Sequence, residues 1–364
     1  MRILFSAGPL YGHVNTVLPL ALAAHAAGHE TVLATGPALV PHVERHGLAT
    51  WALPAREAPR GVTDWFAHFV AGARERSTAL VPKAVDWKPD LVVHEETELA
   101  GAVAARVTGA RHVVHGLGLM PPIGIWQAYA PALEDLFAAH GVPGSAATVR
   151  DATYVDICPP ALRPSGERIW SRVRSMRPSA GLPGPDERLP GAFDRLPYDR
   201  TVHLTLGTVF HDAVGVLAQA IAGLRTLPVN VVVTTGPGSD PERFGRQPPH
   251  VLVAPYLPHT LLLPRCDLVV AHGGAGVMLG ALAHGLPQLI LPQGAEQHGN
   301  AAACVRAGAA LTLAPGEVTA DSVASAARRL LDEPAFAARA RAIRAEIVAA
   351  PGPDELLASL VDER

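Results

Sequence analysis

The chain predicts an α/β protein built from two successive doubly wound parallel-sheet domains. Three observations carry that reading. Short apolar runs alternate with helix-length segments along the whole chain; a Pro- and Gly-dense stretch, "PSAGLPGPDERLPGAFDRLPYD", interrupts the rhythm at 178–199; and the rhythm then starts again. A length of 364 residues also fits two domains of ~100–200 residues each.

Taken along the chain, "RILFSA" reads as a first strand and is followed by a glycine-containing loop. "VNTVLPLALAAHAAG" then has helical spacing, and "TVLAT" is the next strand. "DLVVHE", "TELAGAVAARVTG" and "RHVVHG" continue the strand–helix–strand alternation. Beyond the interruption come "TVHLTLGT", "VNVVVTTG", "HVLVAPYL", "DLVVAHGG" and "PQLILP", with helical runs between them. The division expected is a domain over 1–180, a linker over 181–199, a second domain over 200–340 and a helical tail over 341–364.

Composition excludes several classes. The chain is 49% hydrophobic and 17% charged, with 30 Lys and Arg against 33 Asp and Glu, a net charge of −3. A nucleic-acid footprint would need clustered positive charge, so no nucleic-acid partner is expected. Cys158, Cys266 and Cys304 are far apart, odd in number and without CxxC spacing, which argues against a disulfide scaffold or zinc ribbon. No apolar run reaches the ~18 residues of a membrane span, and "MRILFSAGP" turns to Gly-Pro too soon for a secretory leader. A cytoplasmic location without membrane insertion is the expectation. Oligomeric state is not written here, and a homodimer stays open.

The stretch "HGGAGVMLGALAHGLP" (272–287) holds the sharpest chemical signal. A strand at 267–271, a loop at 272–276 and a helix from about 277 would aim unpaired N–H groups at an anion. Gly273, Gly274 and Gly276 let a phosphate approach the backbone, and His272 can donate to it. A tight strand-to-helix turn with no ligand would use the same glycines. Gly274, Gly276 and Gly280 also spell a loose dinucleotide fingerprint, with Glu296 about 20 residues on. A nicotinamide cofactor would need that acid at a strand tip, whereas Glu296 falls in the loop after "LPQLILP".

The block from Pro255 to Leu313, containing "PYLPHTLLLPRCDLVVAHGGAGVMLGALAHGLPQLILPQGAEQHGN", resembles the donor signature of GT-B family-1 glycosyltransferases. The bacterial branch acting on macrolides and aromatic polyketides is the nearest in pattern. "GPLYGHVNTVLPLALAAHAAGHE" (8–30), "PDLVVHEETELAG", "HVVHGLGLMPP" and "LTLGTVF" are similar to the rest of that branch, so the likeness runs to about residue 350. The resemblance implies two Rossmann-like domains facing a cleft, the first for the acceptor and the second for the donor. It implies inverting, metal-independent transfer from a nucleoside diphosphate sugar, with no cofactor and no metal ligands.

His13 matches the family's general base, which takes the proton of an acceptor hydroxyl. It is expected in the loop after the first strand. The family orients this base with an Asp; here Glu95 or Glu96 offers the carboxylate, and Glu95 aligns with the usual acid. A helix N-terminal charge is the plain alternative for Glu95. On the donor side, the resemblance implies that Thr208 meets the donor phosphate or sugar, and that His272 and the amides of Gly274, Ala275, Gly276 and Val277 meet the diphosphate. Val277 stands where the family carries Ser or Thr. Tyr256, Leu257 and His259 occupy the place of its Trp-x-Pro-Gln, implying base stacking by Tyr256 and edge reading by the Leu257 backbone. Glu296 and Gln297 match the acid–Gln pair that grips sugar hydroxyls. Gly280 replaces an acid that plant relatives use on the ribose diol, which favours a dTDP-sugar over a UDP-sugar.

The acceptor side carries less. Trp65, Phe66 and Phe69 fall at helical spacing, and Met120 and Trp126 lie within "GLMPPIGIW". Trp65, Met120 and Trp126 are the candidates for contact with a small apolar aglycone. Two other readings remain at this level: a non-catalytic protein that binds a sugar nucleotide or activates a partner, and a nicotinamide enzyme.

Overall fold

A computed structural model describes residues 1–56, 64–163, 169–179, 181, 187–207, 214–236 and 240–362. The chain divides into two compact units. One comprises 1–158, 165–177 and 350–364; the other comprises 159–164 and 178–349.

In the first unit the elements run β1 (Arg2–Ser6), α1 (Tyr11–Ala26), β2 (Glu30–Thr35), α2 (Val40–Glu44), β3 (Ala49–Ala52) and α3 (Trp65–Trp87). They continue with β4 (Leu91–Glu95), α4 (Leu99–Thr108), β5 (Arg111–His115), α5 (Ile123–Ala128), α6 (Ala130–Ala138), α7 (Ala146–Arg150), β6 (Thr153–Asp156) and β7 (Arg172–Ser175). The sheet order is β3-β2-β1-β4-β5-β6-β7, and every pairing is parallel. The order reverses between β1 and β4, the switch point at which doubly wound sheets open a crevice beyond their carboxyl ends.

The second unit holds β8 (Thr201–Thr205), α8 (Val214–Leu224), β9 (Asn230–Thr234), β10 (Val251–Ala254), α9 (His259–Leu262), β11 (Leu268–Ala271) and α10 (Ala275–Ala283). It continues with β12 (Gln288–Ile290), α11 (Gln297–Arg306), β13 (Ala310–Thr312), α12 (Ala320–Asp332) and α13 (Pro334–Ala349). Its sheet, β10-β9-β8-β11-β12-β13, is also wholly parallel, with the reversal between β8 and β11. Two doubly wound parallel sheets are thus present, as the alternation of apolar runs predicts. Central strands β4, β8, β9 and β11 are buried at every position, the pattern of sheets covered on both faces.

Two boundaries differ from the sequence reading. Described residues of 181–199 are not a bare linker: Phe193 is buried in the second unit's core beside Leu257 and Leu262, with Leu189 and Leu196 packed on it. The segment 341–364 is not one tail. It is cut at Ala349, and α14 (Pro353–Asp362) returns to the first unit, packing on α1 through buried Leu356, Leu357 and Leu360. The Arg111 guanidinium donates to the Leu360 carbonyl and ties α14 to β5.

The first core rests on close approach by small residues. Helix α4 buries Leu99, Ala100, Gly101, Ala102, Val103, Ala104 and Ala105. A Cβ on Gly101 would lie 2.4 Å from the His94 Cβ, so only glycine fits that contact. At its start, Glu98 is fully buried and ion-paired with buried Arg76 of α3. An aromatic stack fills the other flank. Trp126 meets Trp170 edge-on at 5.7 Å, and Tyr154 stacks on Trp170 at 4.7 Å. The Tyr154 hydroxyl donates to Glu96 at 2.7 Å. Burial of Glu96 raises its pKa from 4.5 to about 8, against the lowering effect of the Tyr154 bond.

Gly101→Ala should destabilise the protein by about 1–3 kcal/mol in urea unfolding. Gly124→Ala in α5 meets nothing within 4 Å and should be neutral. Glu96 keeps its proton when folded up to about pH 8 but releases it near 4.5 when unfolded, so its contribution to stability is present below pH 4.5 and declines as pH rises towards 8. Glu96→Gln should remove that decline, and unfolding of both proteins at several pH values between 4 and 9 measures it.

Candidate active site

The first cluster sits at the switch point of the first sheet. Glu95 ends β4, while His13 follows β1 and lies in the first turn of α1, not in the expected loop. Helix α1 begins at Tyr11 without a side-chain cap from Leu10, so no local capping signal marks its start. The His13 Nδ1 lies 2.8 Å from Glu95 Oε1. A carboxylate only accepts, so Nδ1 carries the hydrogen, and Nε2 is the nitrogen that can take a proton when the ring is neutral.

Glu95 is fully buried, while the His13 side chain retains 14% exposure. The carboxylate is surrounded by donors. Gly8 N–H reaches Oε1 at 3.1 Å, Thr97 N–H reaches Oε2 at 2.6 Å, and the Thr97 hydroxyl lies 2.9 Å from both oxygens. Burial raises the Glu95 pKa, but the charge and hydrogen bond of His13 and the Thr97 and Gly8 amides outweigh it and hold the group at about 2. A Cβ on Gly8 would stand 3.1 Å from both Glu95 Oε1 and His13 Nδ1, so glycine leaves the pair room. Of the two carboxylates weighed from sequence, Glu95 is the one on His13; Glu96 turns to Tyr154.

Phe69 packs on the His13 ring at 5.4 Å, and Trp65 lies 6.0 Å from Phe69. Helix α3 therefore lays an aromatic side chain on His13, and Trp65, half-buried at the helix start, is the next ring along. Met120 is half-buried against the core. Trp126 does not fit its expected acceptor role: it is fully buried between Phe66 and Trp170 and presents no surface.

The second cluster occupies the switch point of the other sheet. Strand β11 ends at Ala271, and α10 starts at Ala275, two residues earlier than expected. Gly274 is the cap residue and accepts from Met278 N–H at 3.0 Å. The N–H groups of Ala275, Gly276 and Val277 have no partner within the helix, a terminus suited to an anion. His272 lies between two glycines: a Cβ would come within 2.6 Å of its ring at Gly207 and 2.4 Å at Gly274. Gly273 adopts φ 87°, and a Cβ there would strike Ile290 at 2.6 Å. The side-chain amide of Asn300, in α11, donates to the Gly273 carbonyl at 2.9 Å and fixes the loop. Asn300 was not singled out in the sequence, because its partner is a backbone carbonyl and leaves no motif.

Other donor-side candidates take varied positions. Tyr256 is 57% exposed and donates to Glu187 at 3.2 Å; Leu257 is buried. His259 begins α9 and is half-buried, its Nε2 3.2 Å from that of fully buried His203, so the two imidazoles form a pair. Burial lowers His203 to about 3 and both His259 and His272 to about 4, leaving them neutral at pH 7. Glu296 is exposed at the cap of α11. Gln297 is buried, and its side-chain oxygen accepts from the Gln293 and Gly294 amides at 2.7 and 3.3 Å. That oxygen braces the loop carrying Glu296 and is not free for a sugar hydroxyl. Thr208 lies outside the described residues.

Among the described residues, no helix is long and apolar enough to cross a membrane, and no group of three or more His, Cys, Asp or Glu is arranged to hold a metal ion.

Comparison with known proteins agrees with this geometry. Residues 58–177 match the N-terminal domain, and residues 218–362 the C-terminal domain, of the erythromycin biosynthesis protein CIII-like family. The elloramycin glycosyltransferase ElmGT of Streptomyces olivaceus is 31% identical, over 99% of this chain and 97% of that protein. The L-demethylnoviosyl transferase of Streptomyces niveus is 32% identical, over 86% of this chain and 85% of that protein. The glycosyltransferase VinC, solved in complex with dTDP, superposes with a TM-score of 0.83 at 28% identity, covering 99% of this chain and 98% of that chain. With an imidazole–carboxylate pair ending one Rossmann-like sheet and a glycine-flanked helix terminus ending the other, the chain belongs to the erythromycin CIII-like family of GT-B natural-product glycosyltransferases.

Proposed function

We propose that the protein transfers a deoxysugar, with inversion, from a dTDP-sugar to a hydroxyl of a small apolar aglycone of the polyketide type. The carrying observation is the 2.8 Å bond between His13 and the fully buried Glu95. It leaves Nε2 as a base of the right tautomer. As the acceptor oxygen attacks the anomeric carbon, its proton passes to His13 Nε2 and Glu95 stabilises the imidazolium. The bond from that carbon to the diphosphate breaks, and dTDP leaves. The N–H groups of Ala275, Gly276 and Val277, with His272, offset the charge growing on the leaving phosphate.

Several features support the donor assignment. Gly280 is buried in α10 and brings no carboxylate to a ribose diol, which suits deoxyribose. VinC, of the same fold, was solved with dTDP. Exposed Tyr256 offers a face for the base, and exposed Glu296 a carboxylate for sugar hydroxyls. On the acceptor side, Trp65 and Phe69 offer apolar surface beside His13.

The test pairs binding with turnover. Calorimetric titration should show dTDP binding more tightly than UDP and no binding of NAD; the reverse order would overturn the donor assignment. With a donor panel run against a polyphenol and polyketide library under mass detection, His13→Ala and Glu95→Gln should each lower kcat by about 10²–10⁴-fold. Unchanged turnover of His13→Ala would remove the assigned base. Val277→Thr places a hydroxyl at the third residue of α10 and should tighten dTDP binding roughly 2- to 10-fold, read by the same titration.

A further inference from the structure

We propose that Thr97 is a positioning residue that clamps the His13–Glu95 pair in its working geometry; this rests on the reading of that pair as the catalytic dyad. Thr97 is the only described side chain bonded to both members. Its hydroxyl oxygen lies 2.9 Å from each Glu95 oxygen and 3.2 Å from His13 Nδ1. The single hydroxyl hydrogen goes to the carboxylate, which can only accept. The oxygen's lone pair then faces the Nδ1–H of His13, which is shared between Glu95 and Thr97. The Thr97 N–H adds a further bond to Glu95 Oε2 at 2.6 Å.

The chemistry explains why such a clamp belongs here. Glutamate has one more rotatable bond than aspartate, so a glutamate partner needs more restraint to hold one oxygen on an imidazole. Gly8 restrains Oε1 from one side. Thr97, two residues beyond Glu95, closes on both oxygens from the other. The residue is half-buried, and among the described residues its hydroxyl bonds only to this pair. With the clamp in place His13 is presented as one tautomer, Nδ1–H inward and Nε2 outward. Thr97 meets His13 at Nδ1 and not at Nε2, which takes the proton, so its effect falls on kcat and not on donor affinity.

The experiment compares Thr97→Val, which keeps shape and N–H but loses the hydroxyl, with Thr97→Ser, which keeps both. In protein labelled with ¹⁵N-histidine, wild-type His13 should show a protonated Nδ1 and a slowly exchanging Nδ1–H signal, assigned by its loss in His13→Gln. Thr97→Val should speed exchange of that hydrogen roughly tenfold or more, and Thr97→Ser should restore the wild-type rate. Turnover should follow: kcat falls roughly 10- to 100-fold in Thr97→Val, while dTDP affinity stays within about twofold. Thr97→Ala provides a second hydroxyl-free variant if valine disturbs folding, checked by melting temperature. Wild-type exchange in folded Thr97→Val, or kcat unchanged there while His13→Ala is inactive, would overturn the clamp alone. Full activity of His13→Ala would overturn the dyad itself.

Discussion

A parallel strand can be reached only by a crossover, and that constraint delivers every strand-end loop of a doubly wound sheet to one edge. Both units obey it, and each gathers its polar chemistry where the strand order reverses. In the first unit, β1 and β4 are neighbours, so residues 82 apart in sequence meet as His13 and Glu95. In the second, β8 and β11 are neighbours, so Gly207 and His272 come into contact. Topology, more than any local motif, assembles both clusters.

Adjacent carboxyl groups then receive opposite treatment. Glu95 and Glu96 are both buried and point to opposite sides of the strand end. One side supplies an imidazole, a hydroxyl and two amides, which hold a charge. The other supplies an aromatic stack, one phenol, the Leu117 amide and the neighbouring charges of Glu95 and Asp156, and it holds a neutral acid. A pKa of about 2 stands beside one of about 8. Solvation by fixed donors, not distance from water, decides which carboxyl is ionised.

The alternation of apolar runs made both sheets legible in the sequence, and the glycines between 273 and 276 made the strand-to-helix turn legible. His13 and Glu95 were legible only through a pattern of residues that accompany them. What stayed hidden has physical causes. Helix α1 lacks a capping side chain, so its start could not be seen and His13 was placed in a loop. Trp126 looked like a ligand wall because aromatic residues near Pro and Gly suit both pockets and cores; its contacts with Phe66 and Trp170 decide for the core. Phe69 was noted only for its helical spacing but lies against His13. Gln297 and His259 were read as facing a ligand; the structure adds a partner for each, the loop backbone for the Gln297 side-chain oxygen and His203 for His259. Asn300 and Thr97 act through long-range or backbone partners that no spacing rule reveals.

The return of α14 to the first unit has a consequence for synthesis. A chain emerging from the ribosome would present β1 to β7 first, yet part of α1 is covered by α14, whose Leu356, Leu357 and Leu360 are buried. The second unit, bounded by 349, has its whole core available before those leucines appear. Translation order and completion order are therefore inverted: the lobe made first waits, with part of its surface uncovered, for the lobe made second to be passed through.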